Sequence, residues 1–566
     1  MANLSQEKRK RMLEFLQQIR AEHTDDTSII AINEIESELT SKKYGLVWEE
    51  HTEEVDEQIK HNVPVFTEVP EKAITTDESL PYNFLLEGDN LHSLKLLEKT
   101  HKGKIDVIYI DPPYNTGNKD FVYDDTIVGS EDGFKHSKWL SFMYRRLEIA
   151  KNLLADNGVI FISINDIEQS QLKLLCDDVF GENNFITTMP KKGSGGRQDS
   201  KHFAVVHEYI VCYARTVEKY IAGREEKEAG AYPLVDENGS RYKLQLLRKW
   251  GDNSLRENRP NLYYPIYYNK QKNTFDIERK EKSDIEIFPM VSDAQEGRWR
   301  WGKSTMKDNM LMGKVEIKKK GTTYIPYERL YEPTEAQTKP YTTWIDDIDN
   351  NTGSALLKNI LGTSAFGYPK PLDLIKKILK MALPTSNYTV LDFFAGSGTT
   401  AQAVMELNEQ DGGNRRFILC TNNENGICEN ITYQRIKTVI TGKRTDGTEY
   451  SEGIPANLKY FKTGFIAKTS EDEDYCVSDK LLEHIAEMVE LQHGAKIDGI
   501  KHILVLTDEM ADGLTEQALA DCEQLYVSVS VLLTTEQEQM FKRMGIEVLT
   551  IPDYYFESEL LEVGER

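Results

Sequence analysis

Ile105-Asp106-Val107-Ile108-Tyr109-Ile110-Asp111-Pro112-Pro113-Tyr114-Asn115-Thr116-Gly117 reads as a short apolar strand running into a polar, proline-stiffened turn. The apolar run 105–110 has the length and residue types of a strand buried on both faces. Open α/β sheets collect ligands at the carboxyl ends of their strands, so the turn stands where a site is expected. Asp111 can accept a hydrogen bond from an amine. Pro112 and Pro113 have no N–H to donate and stiffen the turn, so that carbonyl acceptors face the same amine. Tyr114 can stack on a flat ring, an interaction typically worth about 1–3 kcal/mol. The competing reading is an ordinary Pro-Pro turn closing a strand. The β-type residues directly before Asp111 and the Tyr directly after Pro113 weigh against it.

Outward from this stretch the texture is α/β. Phe84–Leu86 reads as a strand followed by a helix from Leu91 to Leu97, Trp139–Leu154 as a helix, and Val159–Ile164 as a buried strand. The pattern breaks from about 215 to 350, where Tyr, Trp, Arg, Lys and Asn dominate. It returns with a helix at Leu372–Ala382, a strand at Thr389–Phe394, a helix at Gly398–Leu407 and a strand at Arg416–Cys420. The organisation expected is a charged helical extension at 1–75, an α/β domain split into 76–215 and 353–455, a β-rich insert at 216–352, and a small acidic α/β domain at 456–566. In the last segment Ile503–Leu506, Val527–Leu533 and Glu547–Ile551 read as strands.

A second motif lies in the returning half: Val390-Leu391-Asp392-Phe393-Phe394-Ala395-Gly396-Ser397-Gly398-Thr399-Thr400. Glycines let a ligand approach the backbone, and the following helix offers free N–H groups. No G-K-[ST] follows, so this is not a phosphate-binding P-loop. The turn suits the carboxylate end of an amino-acid-like cofactor. Glu424, just past the strand 417–420, could accept ribose hydroxyls, although alone it is an ordinary exposed carboxylate.

The bulk properties bound the reading. The 566 residues suggest two to four domains, and 39% apolar with 29% charged residues reads as a soluble globular chain. No stretch approaches the roughly 18–20 apolar residues of a membrane span, and the first 20 residues show no signal-peptide core. The six cysteines form no C-x-x-C pair, which points to reduced, structural thiols, a cytoplasmic location and no zinc site. The net charge of −24 is unevenly spread: residues 190–330 carry 28 Lys and Arg against 20 Asp and Glu, whereas 451–566 carry 9 against 24. A local basic surface on an acidic protein can still bind DNA, because salt screens fields beyond about 8–10 Å.

The order of the two motifs resembles the β class of amino-methyltransferases, in which the catalytic motif precedes the cofactor motif. The likeness is closer still to the methyltransferase (Mod) subunits of type III restriction–modification systems. Leu86-Glu87-Gly88-Asp89-Asn90-Leu91, Phe366-Gly367-Tyr368-Pro369-Lys370-Pro371 and Leu407-Asn408-Glu409-Gln410-Asp411-Gly412-Gly413-Asn414-Arg415-Arg416 also resemble that family. The resemblance implies a Rossmann-like, circularly permuted sheet that uses S-adenosylmethionine, interrupted by a target-recognition insert. It places Asp111, Pro112, Pro113 and Tyr114 in catalysis. It places Asp89, Asn90, Phe366, Lys370, Asp392, Phe394, Ala395, Gly396, Ser397, Gly398 and Glu424 around the cofactor, with Asp392 alternatively stabilising the turn. The activity implied is methylation of N6 on an adenine flipped out of duplex DNA, at a cost of a few kcal/mol for flipping. Neither a metal nor a covalent enzyme intermediate is required. A homodimer and a separate restriction subunit carrying helicase and nuclease functions are also implied.

Within and beside the insert, Lys191, Lys192, Arg197, Arg248, Lys249, Trp250, Arg256, Arg259, Arg298 and Arg300 are the candidate DNA contacts, since Arg and Lys reach phosphates and Arg reads guanine edges. Any single one of these is more readily a solvated or packed side chain, whereas the insert as a whole is read as contacting DNA. The alternatives are an N4-cytosine enzyme, whose amine chemistry is nearly the same, a solitary adenine methyltransferase, an RNA or glutamine methyltransferase, and a non-catalytic DNA-reading subunit. Asp111 weighs for adenine, and the intact motifs weigh against a non-catalytic role.

Overall fold

Ile105–Ile110 forms a strand at the residues its sequence predicts. Its alternation explains the layers around it. Ile105, Ile108 and Ile110 join one apolar cluster, while Val107 and Tyr109 join another. A strand with a core on each face is apolar almost throughout, and the exception here, Asp106, is half-buried and accepts from the Thr389 N–H at 2.8 Å.

The computed structural model describes all residues except 1–3, 23–24, 41–47, 118–121, 124–125, 128, 130–131, 194–201, 227–231, 293, 334–337, 363–365, 471–474, 553–554 and 566. Two compact units emerge, one from residues 1–223 and 341–566, the other from 224–340. Among the described residues no helix is long and apolar enough to cross a membrane.

The first unit is built on nine strands: β1 (Asn62–Glu68), β2 (Tyr82–Glu87), β3 (Ile105–Ile110), β4 (Leu154–Ile164), β5 (Phe185–Lys192), β6 (His207–Ala214), β7 (Thr389–Asp392), β8 (Arg416–Thr421) and β9 (Asn457–Ala467). Their order across the sheet is β1-β9-β2-β8-β7-β3-β4-β6-β5. The six strands from β9 to β4 run parallel, and β1, β6 and β5 add antiparallel pairings at the edges. Helices fill the crossovers, including α1 (Asn90–His101), α2 (Lys135–Leu153), α3 (Gln169–Phe180), α4 (Leu372–Ala382), α5 (Thr399–Asp411) and α6 (Tyr433–Thr441). In α4, Leu374, Ile375, Ile378 and Leu379 are buried, at the spacing of an amphipathic helix.

Both ends of the chain enter this sheet more deeply than their sequence suggests. β1 lies within the stretch expected to be an extension, and β9 opens the stretch expected to be a separate C-terminal domain. Beyond β9, a three-stranded parallel sheet of His502–Val505, Gln524–Ser528 and Glu547–Ile551 has its own small core around Val505, Leu525 and Phe541. The strand expected at 527–533 is thus shifted toward the N-terminus. Val529 and Leu532, which gave that stretch its apolar texture, are exposed beyond the strand.

The second unit is β-rich. A four-stranded antiparallel sheet holds Leu234–Val235, Arg241–Leu246, Thr323–Tyr331 and Val315–Lys320, and a three-stranded one holds Thr274–Asp276, Ile266–Asn269 and Ile285–Ile287. Leu247, Tyr264, Ile266, Trp299 and Met306 form its core.

Candidate active site

Asp111 and the Gly-rich turn meet because their strands are neighbours. Val390 pairs with Val107 and Leu391 with Ile108. From β7 the chain crosses to β8 on one side, and from β3 to β4 on the other. Such a reversal opens a crevice at the strands' carboxyl ends. The crevice is lined by Tyr109, Asp111, Phe366, Tyr368, Pro369, Lys370, Asp392, Phe394, Ala395, Gly396, Ser397, Thr399 and Thr400. The expected catalytic Asp111 thus shares one cavity with Phe366, Lys370, Asp392, Phe394, Ala395, Gly396 and Ser397.

The turn after β7 is fixed from several directions. Gly396 and Gly398 take φ of 50° and 74°, a region that favours glycine. A Cβ on Gly398 would also come within 3.2 Å of Thr432 Cγ2. Asp392 commits both carboxylate oxygens to the turn: Oδ1 accepts from the Phe394 N–H at 3.0 Å and Oδ2 from the Thr400 hydroxyl at 2.6 Å. Of the two roles open to Asp392, the geometry supports stabilisation of the turn. Arg435 of α6 is wholly buried and donates to Thr399 Oγ1 at 2.7 Å, to the Ser397 hydroxyl at 3.2 Å and to Gln402 at 2.9 Å. Burial pushes its pKa down to about 10.

Burial pushes the Asp392 carboxyl up from about 3.8 to about 7, against the hydrogen bonds from Thr400 and Phe394. The folded state then holds its proton more tightly than the unfolded chain does, so this group's contribution to stability falls as pH rises from about 4 to 7. Asp392→Asn cannot ionise. Its unfolding free energy, measured against wild type in urea, is expected to gain on wild type as pH is raised through that window. A difference independent of pH would refute the assignment.

Asp89 and Asn90 hold backbone rather than line the cavity. Asp89 caps α1, accepting from the Leu91 N–H at 2.7 Å. Asn90 donates to the Phe393 carbonyl at 2.8 Å and accepts from Arg146 Nε at 2.5 Å. Arg146, fully buried in α2, also donates to both oxygens of Glu53, at 2.8 and 3.0 Å, and lies 3.7 Å over the Phe142 ring. The residues ahead of β1 are therefore tied to the loop that positions the turn. Glu424 is exposed in the turn Glu424–Gly426 past β8, as its position in the sequence implies.

Around Asp111 the side chains form an ionic cluster. Lys370 Nζ lies 2.5 Å from the Tyr114 hydroxyl, 2.9 Å from Glu208 Oε2 and 3.2 Å from Asp111 Oδ1. The Tyr114 hydroxyl donates toward Asp111 Oδ1 at 2.9 Å and Glu208 Oε2 at 3.2 Å. Both contacts to Asp111 fall on Oδ1, and among the described residues none falls on Oδ2. Burial raises the Asp111 carboxyl, and the nearby Glu208 charge adds to that, while Lys370 opposes both. Glu208 is also buried, yet Lys370 holds it below the usual range.

Three contacts bear on these expectations. The Lys370 ammonium is engaged by Asp111, Glu208 and Tyr114, while the residue lines the same cavity as the Gly-rich turn. The Tyr114 ring has that ammonium 4.8 Å over one face, so it is not an open stacking platform in this conformation. The Pro113 carbonyl accepts from the Trp139 indole at 2.8 Å, leaving the Pro112 carbonyl as the acceptor the motif can offer.

The candidate DNA contacts separate sharply. Lys191 is fully buried, 3.6 Å from Glu208, and Arg298 is buried with its guanidinium on the Asn253 and Trp299 carbonyls. Arg300 donates to Gln245 at 2.7 Å, and Arg256 pairs with Glu296 at 2.6 Å and lies over Tyr263. Lys191, Arg298 and Arg300 are held within their own units, whereas Arg256 is exposed and its pair with Glu296 lies at the surface. Arg248 and Lys249 are half-buried, while Lys192, Trp250 and Arg259 are exposed. Arg197 lies outside the described residues.

Glu208, Arg146 and Arg435 escaped the sequence reading. Arg146 gave a signal: it falls in the apolar stripe Trp139, Met143, Leu147, Ala150 of α2, where a charge requires a buried partner. Glu208 begins an apolar run, and nothing local distinguishes it from a strand-end carboxylate.

With this geometry in place, comparison with known proteins identifies the class. Residues 105–434 match the N6/N4 DNA methylase family, and the chain belongs to it. Its relatives include the EcoPI Mod subunit, a type III restriction–modification enzyme of Escherichia phage P1, 35% identical over 60% of this chain and 58% of that protein. The type II methyltransferase M.KpnI of Klebsiella pneumoniae is 37% identical over 61% of this chain and 82% of its own length. The type III StyLTI Mod subunit of Salmonella typhimurium is 33% identical over 60% of this chain and 52% of that protein. The matches thus span little more than half the length of these two Mod subunits.

Proposed function

We propose that this chain transfers a methyl group from S-adenosylmethionine to N6 of an adenine flipped out of duplex DNA, acting in the cytoplasm as the modification subunit of a type III restriction–modification system. The observation that carries the reading is the shared cavity: Asp111, with Oδ2 uncommitted, lines the same crevice as the Gly-rich turn. The residues present fit the cofactor. The positive-φ turn leads into the N-terminus of α5, whose unpaired N–H groups suit a carboxylate. Phe366 and Phe394 flank it with apolar surface. Bound there, S-adenosylmethionine supplies an electrophilic methyl group.

The chain's own residues then act on the amine. Asp111 Oδ2 and the Pro112 carbonyl accept its two hydrogens and aim the nitrogen lone pair into the crevice. Alignment of this kind can supply about 7–11 kcal/mol of a barrier. The acceptors also face the positive charge that develops on nitrogen. The methylated ammonium is acidic and releases its proton readily, so an ionised acceptor suffices.

The order of the motifs supports a circularly permuted arrangement. The excess of basic residues over 190–330 supports target recognition by the insert, with Trp250, Arg259 and Lys249 as candidate contacts. Kinship with Mod subunits supports a homodimer and a separate restriction partner. The test is to incubate protein, S-adenosylmethionine and duplex DNA of varied sequence, then identify the modified nucleoside by mass spectrometry. N6-methyladenine in one sequence context is expected. N4-methylcytosine alone would overturn the adenine assignment.

A further inference from the structure

Glu208 lies outside both motifs, at the start of β6, where it pairs in register with Lys191 of β5. Its side chain nevertheless reaches the centre of the site. Oε2 accepts from Lys370 at 2.9 Å and from the Tyr114 hydroxyl at 3.2 Å, and Oε1 accepts from Asn350 at 3.4 Å, with Lys191 Nζ 3.6 Å away. Lys191 is fully buried and its ammonium makes no conventional hydrogen bond among the described residues. Two carboxylates and two ammonium groups therefore alternate, and Lys370 is shared between Asp111 and Glu208.

We propose that Glu208 is a positioning residue for methyl transfer: it holds the Lys370 ammonium and the Tyr114 hydroxyl to one side of Asp111, so that both stay on Oδ1 and Oδ2 remains for the amine. The inference rests on the reading of Asp111 as the amine's acceptor. Without the Glu208 charge, Lys370 closes on Asp111 as a full ion pair and competes with the amine for the carboxylate. The loss also changes the acidity of Asp111. The ionisable groups facing it are Tyr109, Tyr114, Glu208, Lys370 and Asp392, and removing Glu208 leaves Asp111 as the carboxylate paired with the Lys370 ammonium. Asp111 then ionises at lower pH.

The test uses the full-length protein with Glu208→Gln, Glu208→Asp, Lys370→Gln and the Glu208→Gln/Lys370→Gln pair. In Glu208→Gln, single-turnover transfer to duplex DNA is expected to fall about 100-fold, the loss that a small misplacement of the reacting groups can cause. Affinity for S-adenosylmethionine by calorimetry should stay within about twofold, and the acid limb of the rate profile should move to lower pH. Glu208→Asp should recover part of the rate. In the Lys370→Gln background, Glu208→Gln should still lower the acid limb through its direct repulsion of Asp111, but should cost little further rate, because the positioning is routed through Lys370. A wild-type rate and profile in Glu208→Gln would overturn the proposal, as would a rate loss matched by loss of cofactor binding. The Asp111 carboxyl can also be titrated without DNA by carbon-13 labelling of aspartate, assigned against Asp111→Asn. A midpoint that moves down in Glu208→Gln supports the role even if adenine proves not to be the substrate, and an unmoved midpoint overturns it.

Discussion

Asp111→Ala is expected to reduce methyl transfer by about a hundred- to ten-thousand-fold, the range seen when a positioned proton acceptor is removed. The variant loses Oδ2, the acceptor facing the amine, and Oδ1, which Lys370 and Tyr114 contact. Lys370 still has Glu208 as its counter-ion, so the fold should survive. Affinity for S-adenosylmethionine should change little, since the Gly-rich turn is fixed by Asp392, Thr400 and Arg435. Asp111→Asn should fall less far, because an amide oxygen still accepts, and it should lose the acid limb of the pH profile. Single-turnover kinetics with calorimetry separate these effects. Turnover of Asp111→Ala at the wild-type rate would remove Asp111 from the mechanism.

Arg146→Met is expected to be the most destabilising single change outside the cavity. It leaves Glu53, only 8% exposed, without its cation, and Asn90 without the donor that orients it. Breaking one side of a buried ion pair typically costs about 3–5 kcal/mol. The urea midpoint should drop accordingly, and cofactor affinity should fall with it, because Asn90 ties down the Phe393 carbonyl at the entry to the turn. Adding Glu53→Gln should recover part of the loss, since the uncompensated charge is then gone. An unchanged urea midpoint in Arg146→Met would show that the cluster adds nothing to stability.

The parallel centre of the sheet was legible because its strands are buried on both faces and announce themselves as unbroken apolar runs. Ile105–Ile110 fell on its predicted residues for this reason, and the helix Leu372–Ala382 did so because its apolar residues recur at helical spacing. The cavity was legible because its two motifs sit at the ends of adjacent strands. β1 and β9 were not, since an edge pair mixes polar and apolar residues: Lys459, Lys462 and Thr463 interrupt Asn457–Ala467. Glu208 and Arg146 were missed for a different reason. Lys370, Tyr114, Asn90, Asp89 and Glu53 lie 56 to 162 residues from them in sequence, so no local pattern records these pairs. The basic residues of the insert misled in the opposite direction. Composition counted Arg298 and Arg300 as surface charge, whereas carbonyl and amide acceptors hold both within their own unit.

The chain leaves the first unit after Gly223 and re-enters it at Tyr341. Both seams are anchored. The Gly223 N–H bonds the Met381 carbonyl at 2.9 Å, and a Cβ there would overlap the Lys380 carbonyl oxygen. After re-entry, Ile345 exchanges backbone hydrogen bonds with Pro190 and Lys192. A gene cut and rejoined between those codons would carry away one folded unit with its own core and leave the nine-stranded sheet closed. Recombination at these two seams would exchange the intervening cassette as a piece.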